Sequence, residues 1–252
     1  MAIESPTHYL AETLEHLERH WTGRREKATQ QPQPQPLPPH PHAFTIALSR
    51  EAGTQGTAVA QEIGKRLGWH VYDHELLERI AHEMGLRSTL LESVDEKRQS
   101  WFLEAFNAFL SAPSSGNTIP LVNQSAYVHN LVKTVLALAV HGECIIVGRG
   151  AAFILPPAAT LRVRLVAPLK DRIATLERNL DLTHEEAAQR VRILDRERND
   201  FVAGYFLKDP TDLHQFDLVL CTARFSIAAC AELIIDALHQ LQIHAPAPVP
   251  KP

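Results

Sequence analysis

Cysteine is scarce here: three residues, Cys144, Cys221 and Cys230, in a chain of 252. All three sit in apolar stretches without metal-ligand spacing. That argues against zinc and for reduced, buried thiols of an intracellular protein. Long hydrophobic runs are absent too. The longest, around Val135 to Val140, is far too short to span a bilayer. The opening Met-Ala-Ile-Glu-Ser-Pro has no apolar core of a secretory signal, so a cytoplasmic protein with no membrane partner is expected. Neither sign of charge dominates. A formal net charge of -4 gives no electrostatic reason to expect nucleic acid as a partner. What is present is ordinary for a chain that buries a sizeable core: 45% hydrophobic and 21% charged residues. The 14 histidines are scattered. His70 and His74 straddle a strand end and a helix start, so surface or cap roles are expected in preference to a metal site.

Four regions follow from composition. Residues 1–29 read as an N-terminal amphipathic helical arm, with Leu10, Leu14, Leu17 and Trp21 on one stripe. The stripe packs on its own domain or forms a homodimer contact; the pattern leaves both open. Residues 30–42 form a proline-rich linker, because proline fixes φ and donates no hydrogen bond. Residues 43–243 are the folded body, and 244–252 a disordered proline-rich tail.

The body alternates between short apolar runs and longer amphipathic ones. Strands are expected at 44–48, 70–72, 144–147, 161–166 and 216–220. Helices are expected at 56–67, 74–84, 88–110, 125–141, 169–180, 184–207 and 225–241, several of them ended by a glycine. Such alternation implies an α/β fold, a parallel sheet with helices on both faces.

Three motifs carry chemistry. In Leu48-Ser-Arg-Glu-Ala-Gly53-Thr-Gln-Gly56-Thr57 a strand runs into a glycine-bearing loop and then a helix. That context suits a phosphate cradle, in which backbone N–H groups and the helix dipole hold an anion. An ordinary strand-to-helix turn would read the same, and the lysine of a full G-x-x-x-x-G-K-[ST] loop is missing. Next, Ile146-Val-Gly-Arg-Gly150 closes a strand where ligands of open α/β sheets bind, so Arg149 is either a site residue or an exposed arginine in a turn. Last, Arg190 to Asp200 places Val191, Leu194 and Val202 on one helical face and Arg192, Arg196 and Asn199 on another, with Arg198 in the same turn. The run is either a phosphate-clamping lid or a solvated charged face.

Together with Tyr72-Asp-His-Glu-Leu-Leu77, Asp195-Arg-Glu-Arg198, Tyr205-Phe206, Asp209, Phe216–Thr222 and Ser226-Ile227, these motifs resemble the cytidylate-kinase-like family over about residues 44 to 240. The resemblance implies a three-layer P-loop NTPase fold: a five-stranded parallel sheet, a phosphate loop after the first strand and a helical lid between the fourth and fifth. It implies transfer of the γ-phosphoryl group of ATP to CMP, dCMP or a related acceptor, with Mg²⁺. By the same resemblance, Gly53, Thr54, Gln55, Gly56 and Thr57 hold the donor phosphates, and Thr57 reaches the metal. Asp73, Arg79 and Arg149 contact the acceptor, and Arg149, Arg196 and Arg198 stabilise the transferred charge. The sequence departs from the family pattern in five places. Gln55 stands for the loop lysine, Gly150 for the aspartate of Gly-Arg-Asp, and His74 for a serine. Glu197 stands for an aspartate, and Asp200 for a late lid arginine. Arg50 is the candidate to supply the missing positive charge, since its guanidinium reaches two phosphate oxygens. Two functions remain in view: a working nucleotide kinase, and a catalytically weak nucleotide-binding or sensing protein on the kinase fold.

Overall fold

The strand β1 (Thr45–Arg50) is fully buried from Thr45 to Leu48, without the in–out alternation of a half-solvated strand. The reason is its place. In a computed structural model of the chain, which describes residues 44–77 and 126–244, β1 is the middle of five parallel strands. The others are β2 (His70–Tyr72), β3 (Cys144–Val147), β4 (Thr160–Val166) and β5 (Leu218–Cys221), in the order β2-β3-β1-β4-β5. Leu48 pairs with Val147 on one side, and Ser49 and Arg50 pair with Arg164 and Leu165 on the other.

Among the described residues, the α-helices with both ends described are α1 (Gly56–Leu67), α2 (Ala126–His141), α3 (Ala151–Ile154), α4 (Leu169–Leu180), α5 (His184–Phe206) and α6 (Ile227–His244). One core cluster packs Ile46, Leu48, Ile145 and Val163 against Ile63 of α1 and Ile234 of α6. Each such side chain contributes roughly 1.5–3 kcal/mol when fully buried. Alternate strand residues such as Ala47 and Ile146 point to the opposite face and are just as buried. That face needs a covering layer of its own, which α2 and α3 supply by packing on β3 and β1. The result is a three-layer α/β fold with every strand's carboxyl end on one edge. β1 connects leftward to β2 and β3 connects rightward past β1 to β4, so that edge opens a crevice at the centre of the sheet.

A second, smaller cluster joins Ala52, in the loop after β1, to Ile173 and Leu176 of α4 and to Ala187 and Val191 of α5. These are the contacts that set the long helix α5 against the loop. Its start is fixed by a capping box: the Thr183 hydroxyl accepts from the Glu186 N–H, and the Glu186 carboxylate accepts from the Thr183 N–H.

The described residues all lie in the second of two compact units of the chain, Pro39–Pro252. The expected arm, the whole linker, residues 78–84 of the expected helix 74–84, the helix 88–110, Arg79 and residues 245–252 of the tail fall outside them. Elsewhere the spacing-based elements recur, with differences at several ends and one added helix; the last helix runs Ile227–His244 against the expected 225–241 and so reaches the first residue of the expected tail. β1 extends to Arg50 because Ser49 and Arg50 find partners on β4. β5 starts at Leu218, since Asp217 instead turns its carboxylate to the backbone N–H and guanidinium of Arg162. And α3, four residues long, was not expected: one turn carries no 3.6-residue period to read.

Candidate phosphate-binding site

The loop after β1 spends its side chains on itself and offers its backbone outward. Thr54 is buried, and its hydroxyl donates to the Glu51 carbonyl at 2.8 Å. Gln55 is exposed, sits in the left-handed region at φ 57°, and begins α1 without a side-chain cap. The first turn of α1 therefore faces a cavity of about 490 Å³ bordered by Gly53, Gln55, Gly56, Thr57, Arg50 and Arg198. Uncapped N–H groups and the positive end of the helix dipole suit an anion there.

Arg50, at the end of β1, supplies full charge beside those partial charges. Its guanidinium lies where a Cβ on Gly148 would have to be, which is why residue 148 has none. No hydrogen bond is formed by that guanidinium with another described residue. Burial, then the charges of Arg198 and Arg149, lower its pKa to about 10; nearby Asp73 opposes the shift. Arg198 donates from Nη1 to the Arg50 carbonyl at 3.3 Å. Arg149 stands in the turn after β3 at φ 48°, and its guanidinium lies 5.1 Å from the centroid of the Phe201 ring. Three arginines from β1, the β3 turn and α5 thus converge, and Arg198 and Arg149 raise the cost of the charge on Arg50. An anion between them removes that cost.

A second cavity, of about 470 Å³, opens on the other side of this cluster, bordered by Arg50, His74, Arg149, Arg164, Arg198 and Phe201. Arg50 and Arg198 border both cavities. They stand at the junction between a space beside the loop and a space beside the β3 turn.

The junction is braced from behind. The Asp195 carboxylate of α5 accepts from the loop N–H of Ala52 at 2.7 Å and from Arg172 Nη1 of α4. Arg172 also donates from Nε to the Ala167 carbonyl at 3.0 Å and pairs with Glu51 at 3.3 Å. Loop, α4 and α5 are thereby tied through one half-buried network.

The sequence-derived residues distribute unevenly over this geometry. Gly53, Gln55, Gly56 and Thr57 border the first cavity, and Thr54 shapes the loop from within. Arg50, Arg149 and Arg198 meet. Asp73 accepts from the Leu76 N–H at 3.0 Å, capping the helix that begins at residue 74, and lies close enough to Arg50 to favour its charge. Arg196 is exposed and borders neither cavity. The row that faces the loop is Arg190, Leu194 and Arg198, at i, i+4, i+8. Of the residues that carry the brace, Asp195 and Glu51 fall inside the sequence motifs without a role of their own there, and Arg172 falls outside them. Asp195 and Arg172 lie 143 and 120 residues from Ala52, and no local spacing announces such a partnership. Among the described residues no group of three His, Cys, Asp or Glu side chains is arranged to hold a metal, and no helix is long and apolar enough to cross a membrane.

Gly150, where the family pattern has an aspartate, also has a structural cause. It sits at φ 73°, and a Cβ there would fall within 2.7 Å of Phe206 Cζ. Gly150→Asp is expected to destabilise the fold by about 2–3 kcal/mol through strain and overpacking, with no gain in acceptor binding. Chemical denaturation checks it, and adding Phe206→Ala should recover part of the loss.

The arginine cluster also predicts a linkage. Arg50's folded pKa is below its unfolded one, so its charge costs stability at neutral pH, and that cost fades as pH rises through about 10. Added phosphate should raise the melting temperature at pH 7 by offsetting the repulsion. The rise should shrink as pH passes about 10, where Arg50 loses the proton that holds the anion. Thermal scans across pH with and without phosphate measure this directly.

A parallel sheet with a glycine-bearing loop after its central first strand, and arginines from a following helix beside that loop, defines a kinase-like protein of the P-loop fold. Residues 45–224 match the model of the cytidylate kinase-like family, and the chain belongs to that family. A curated relative, "Cytidylate kinase" of Methanopyrus kandleri, is 34% identical over 194 residues, covering 73% of this chain and 87% of its own. The fold is also that of an uncharacterized protein from Eubacterium ventriosum, whose crystal structure superposes with a TM-score of 0.59 at 19% identity, covering 79% of this chain and 99% of that one.

Proposed function

We propose that the protein is a phosphotransferase that moves the γ-phosphoryl group of ATP to a nucleoside monophosphate, CMP, dCMP or a related acceptor. The observation that carries this reading is the position of Arg50 and Arg198, which border both cavities at once. A transferred phosphoryl group must lie between donor and acceptor, and this is where Arg50 and Arg198 stand. The relative's name supports the choice of acceptor.

In this reading the backbone of Gly53 to Thr57 and the start of α1 hold the donor phosphates in the first cavity, and Arg149 holds the acceptor phosphate in the second. Thr57 is exposed and borders the first cavity, where its hydroxyl would be the protein ligand of a Mg²⁺ ion. When bound, that ion neutralises charge on the phosphate oxygens. An acceptor phosphate oxygen attacks the γ-phosphorus, the bond to the bridging oxygen breaks, and ADP leaves with the electron pair. The protein's part is positioning and charge stabilisation, since such transition states need no covalent help. Arg50 takes over the charge of the absent loop lysine.

The second reading, a nucleotide-binding or sensing protein with little turnover, is favoured by Gln55, which is neutral and exposed where the lysine charge belongs. A coupled ADP-release assay with ATP, Mg²⁺ and a panel of nucleoside monophosphates separates the two. Acceptor-dependent ADP release supports the kinase. Saturable ATP binding without release with any acceptor supports the sensor and overturns the kinase.

A further inference from the structure

The cluster at the junction leaves one buried guanidinium of the cleft unused. Arg164, on β4 beside Ser49 of β1, is only 7% exposed. Among the described residues its side chain makes one hydrogen bond, from Nη1 to Ser49 Oγ at 3.4 Å, and no ion pair. That bond is long, and arginine has five N–H donors to satisfy. The Phe216 ring lies 5.6 Å away and offers a π face but no acceptor atom. Carboxylates are close enough to favour the charge but are committed elsewhere. Glu51 accepts from Ala167 N, Asp195 from Ala52 N and Arg172, and Asp209 from Thr211 N and its hydroxyl. Burial is the largest influence on Arg164 and lowers its pKa. A guanidinium so buried and so sparsely bonded is costly unless something completes it. What remains accessible opens into the second cavity, whose wall it forms.

Its charged neighbours are a different set from those of Arg50, while Asp195 and Arg172 act on Arg198 of the junction as well. The charges acting on Arg50 are those of Arg198, Arg149 and Asp73, whereas those acting on Arg164 are Glu51, Asp195, Asp209 and Arg172. Two separate cationic points therefore face one cleft.

We propose that Arg164 is a second anion-binding point of the cleft, which takes a phosphate or carboxylate oxyanion of the acceptor apart from the phosphoryl group held between Arg50 and Arg198. The word acceptor rests on the phosphotransferase reading; anion binding at Arg164 stands without it. The consequence is specificity. An acceptor that presents an oxyanion to β4 is favoured over one that presents a neutral group, because only the former completes the buried guanidinium.

Calorimetric titration of the full chain with inorganic phosphate, malonate and ATP tests this. Arg50→Gln should abolish most ATP affinity and still bind phosphate. Adding Arg164→Gln to it should weaken that remaining phosphate binding at least about tenfold. Arg164→Gln alone should leave ATP affinity within about twofold. Malonate losing affinity alongside phosphate would assign the point to oxyanions generally, and phosphate alone to phosphate esters. Phosphate binding unchanged by Arg164→Gln in the Arg50→Gln background overturns the proposal. So does an equal loss of ATP and phosphate in Arg164→Gln alone, which would make Arg164 a support of the loop. If Arg164→Gln does not fold, Arg164→Lys replaces it. That variant keeps the charge and loses the fork, so its phosphate-dependent rise in melting temperature should be smaller than in the Arg50→Gln parent, and an equal rise overturns the proposal. Failure of the wild type to bind ATP, with the Arg164 effect on phosphate intact, would sink the kinase reading alone.

Discussion

Arg50→Ala should cut acceptor-dependent ADP release by about 10²–10³-fold, the usual cost of removing one preorganised group that stabilises developing charge. The argument is positional. Arg50 ends the central strand, stands at the junction of the two cavities, and meets Arg149 and Arg198 there. Arg50→Lys should recover only part of the loss, because an ammonium restores charge without the two-pronged contact to phosphate oxygens. Gly148→Ala moves the same group without removing it. Its Cβ would occupy the place of Arg50 Nη1, so the guanidinium must shift. Activity should fall although the net charge is unchanged, and the added strain at φ 80° should show separately in the melting temperature. Stability should move the opposite way in Arg50→Met, which keeps the stem beside Gly56 and deletes a charge that burial and two arginines disfavour. In the absence of nucleotide that variant is expected to be no less stable than the wild type. A group kept at a cost to the empty protein is a group kept for its ligand. Wild-type ADP release from Arg50→Ala would remove Arg50 from the site and with it the substitute for the missing lysine.

The sheet and its helices were legible because their signals are local. The run Thr45–Leu48 is apolar on both faces, α1 repeats at helical spacing and stops at Gly68, and the turn after β3 carries two glycines around one arginine. Chain order then places β1 and β3 side by side and brings Arg50 and Arg149 to one edge. Legibility ends where partnership is decided by the third dimension. Arg196 and Arg198 are two residues apart and equally eligible by composition. Only the docking of α5 through Ala187 and Val191 turns Arg198 to the loop and leaves Arg196 in solvent. Gly150 read as the loss of an acceptor contact. The Phe206 ring, 56 positions away, shows a packing reason for the same residue. Arg164 read as one more residue of a strand, because it shares β4 with Arg162 and nothing nearby in sequence tells which of the two guanidinium groups faces a cleft.

Asp195→Ala should cost about 3 kcal/mol of stability, or roughly 6–12 °C in melting temperature for a domain of this size, and should lower ATP affinity without touching a ligand-binding side chain. One carboxylate satisfies two groups that have poor alternatives. Ala52 is buried, so its N–H loses its acceptor at 2.7 Å and little water can replace it. Arg172, 9% exposed, is left with Glu51 at 3.3 Å as its ion-pair partner. Asp195→Asn separates the two losses, since an amide oxygen still accepts from Ala52 but no longer pairs with Arg172 in charge. Its stability should fall between wild type and Asp195→Ala. A double-mutant cycle with Arg172→Met should give a coupling of about 1–3 kcal/mol, as expected for residues within one network. The functional effect follows from the same contacts. Asp195 and Arg198 are neighbours on α5, one tied to the loop backbone at Ala52 and the other to the Arg50 carbonyl. Releasing the first loosens the second, so the junction charge is present but no longer held in place. A variant that lost stability yet bound ATP as the wild type does would show that the brace serves only the fold. A parallel loss of both would show that the loop, which lacks its lysine, depends on α5 to hold the arginines that replace it.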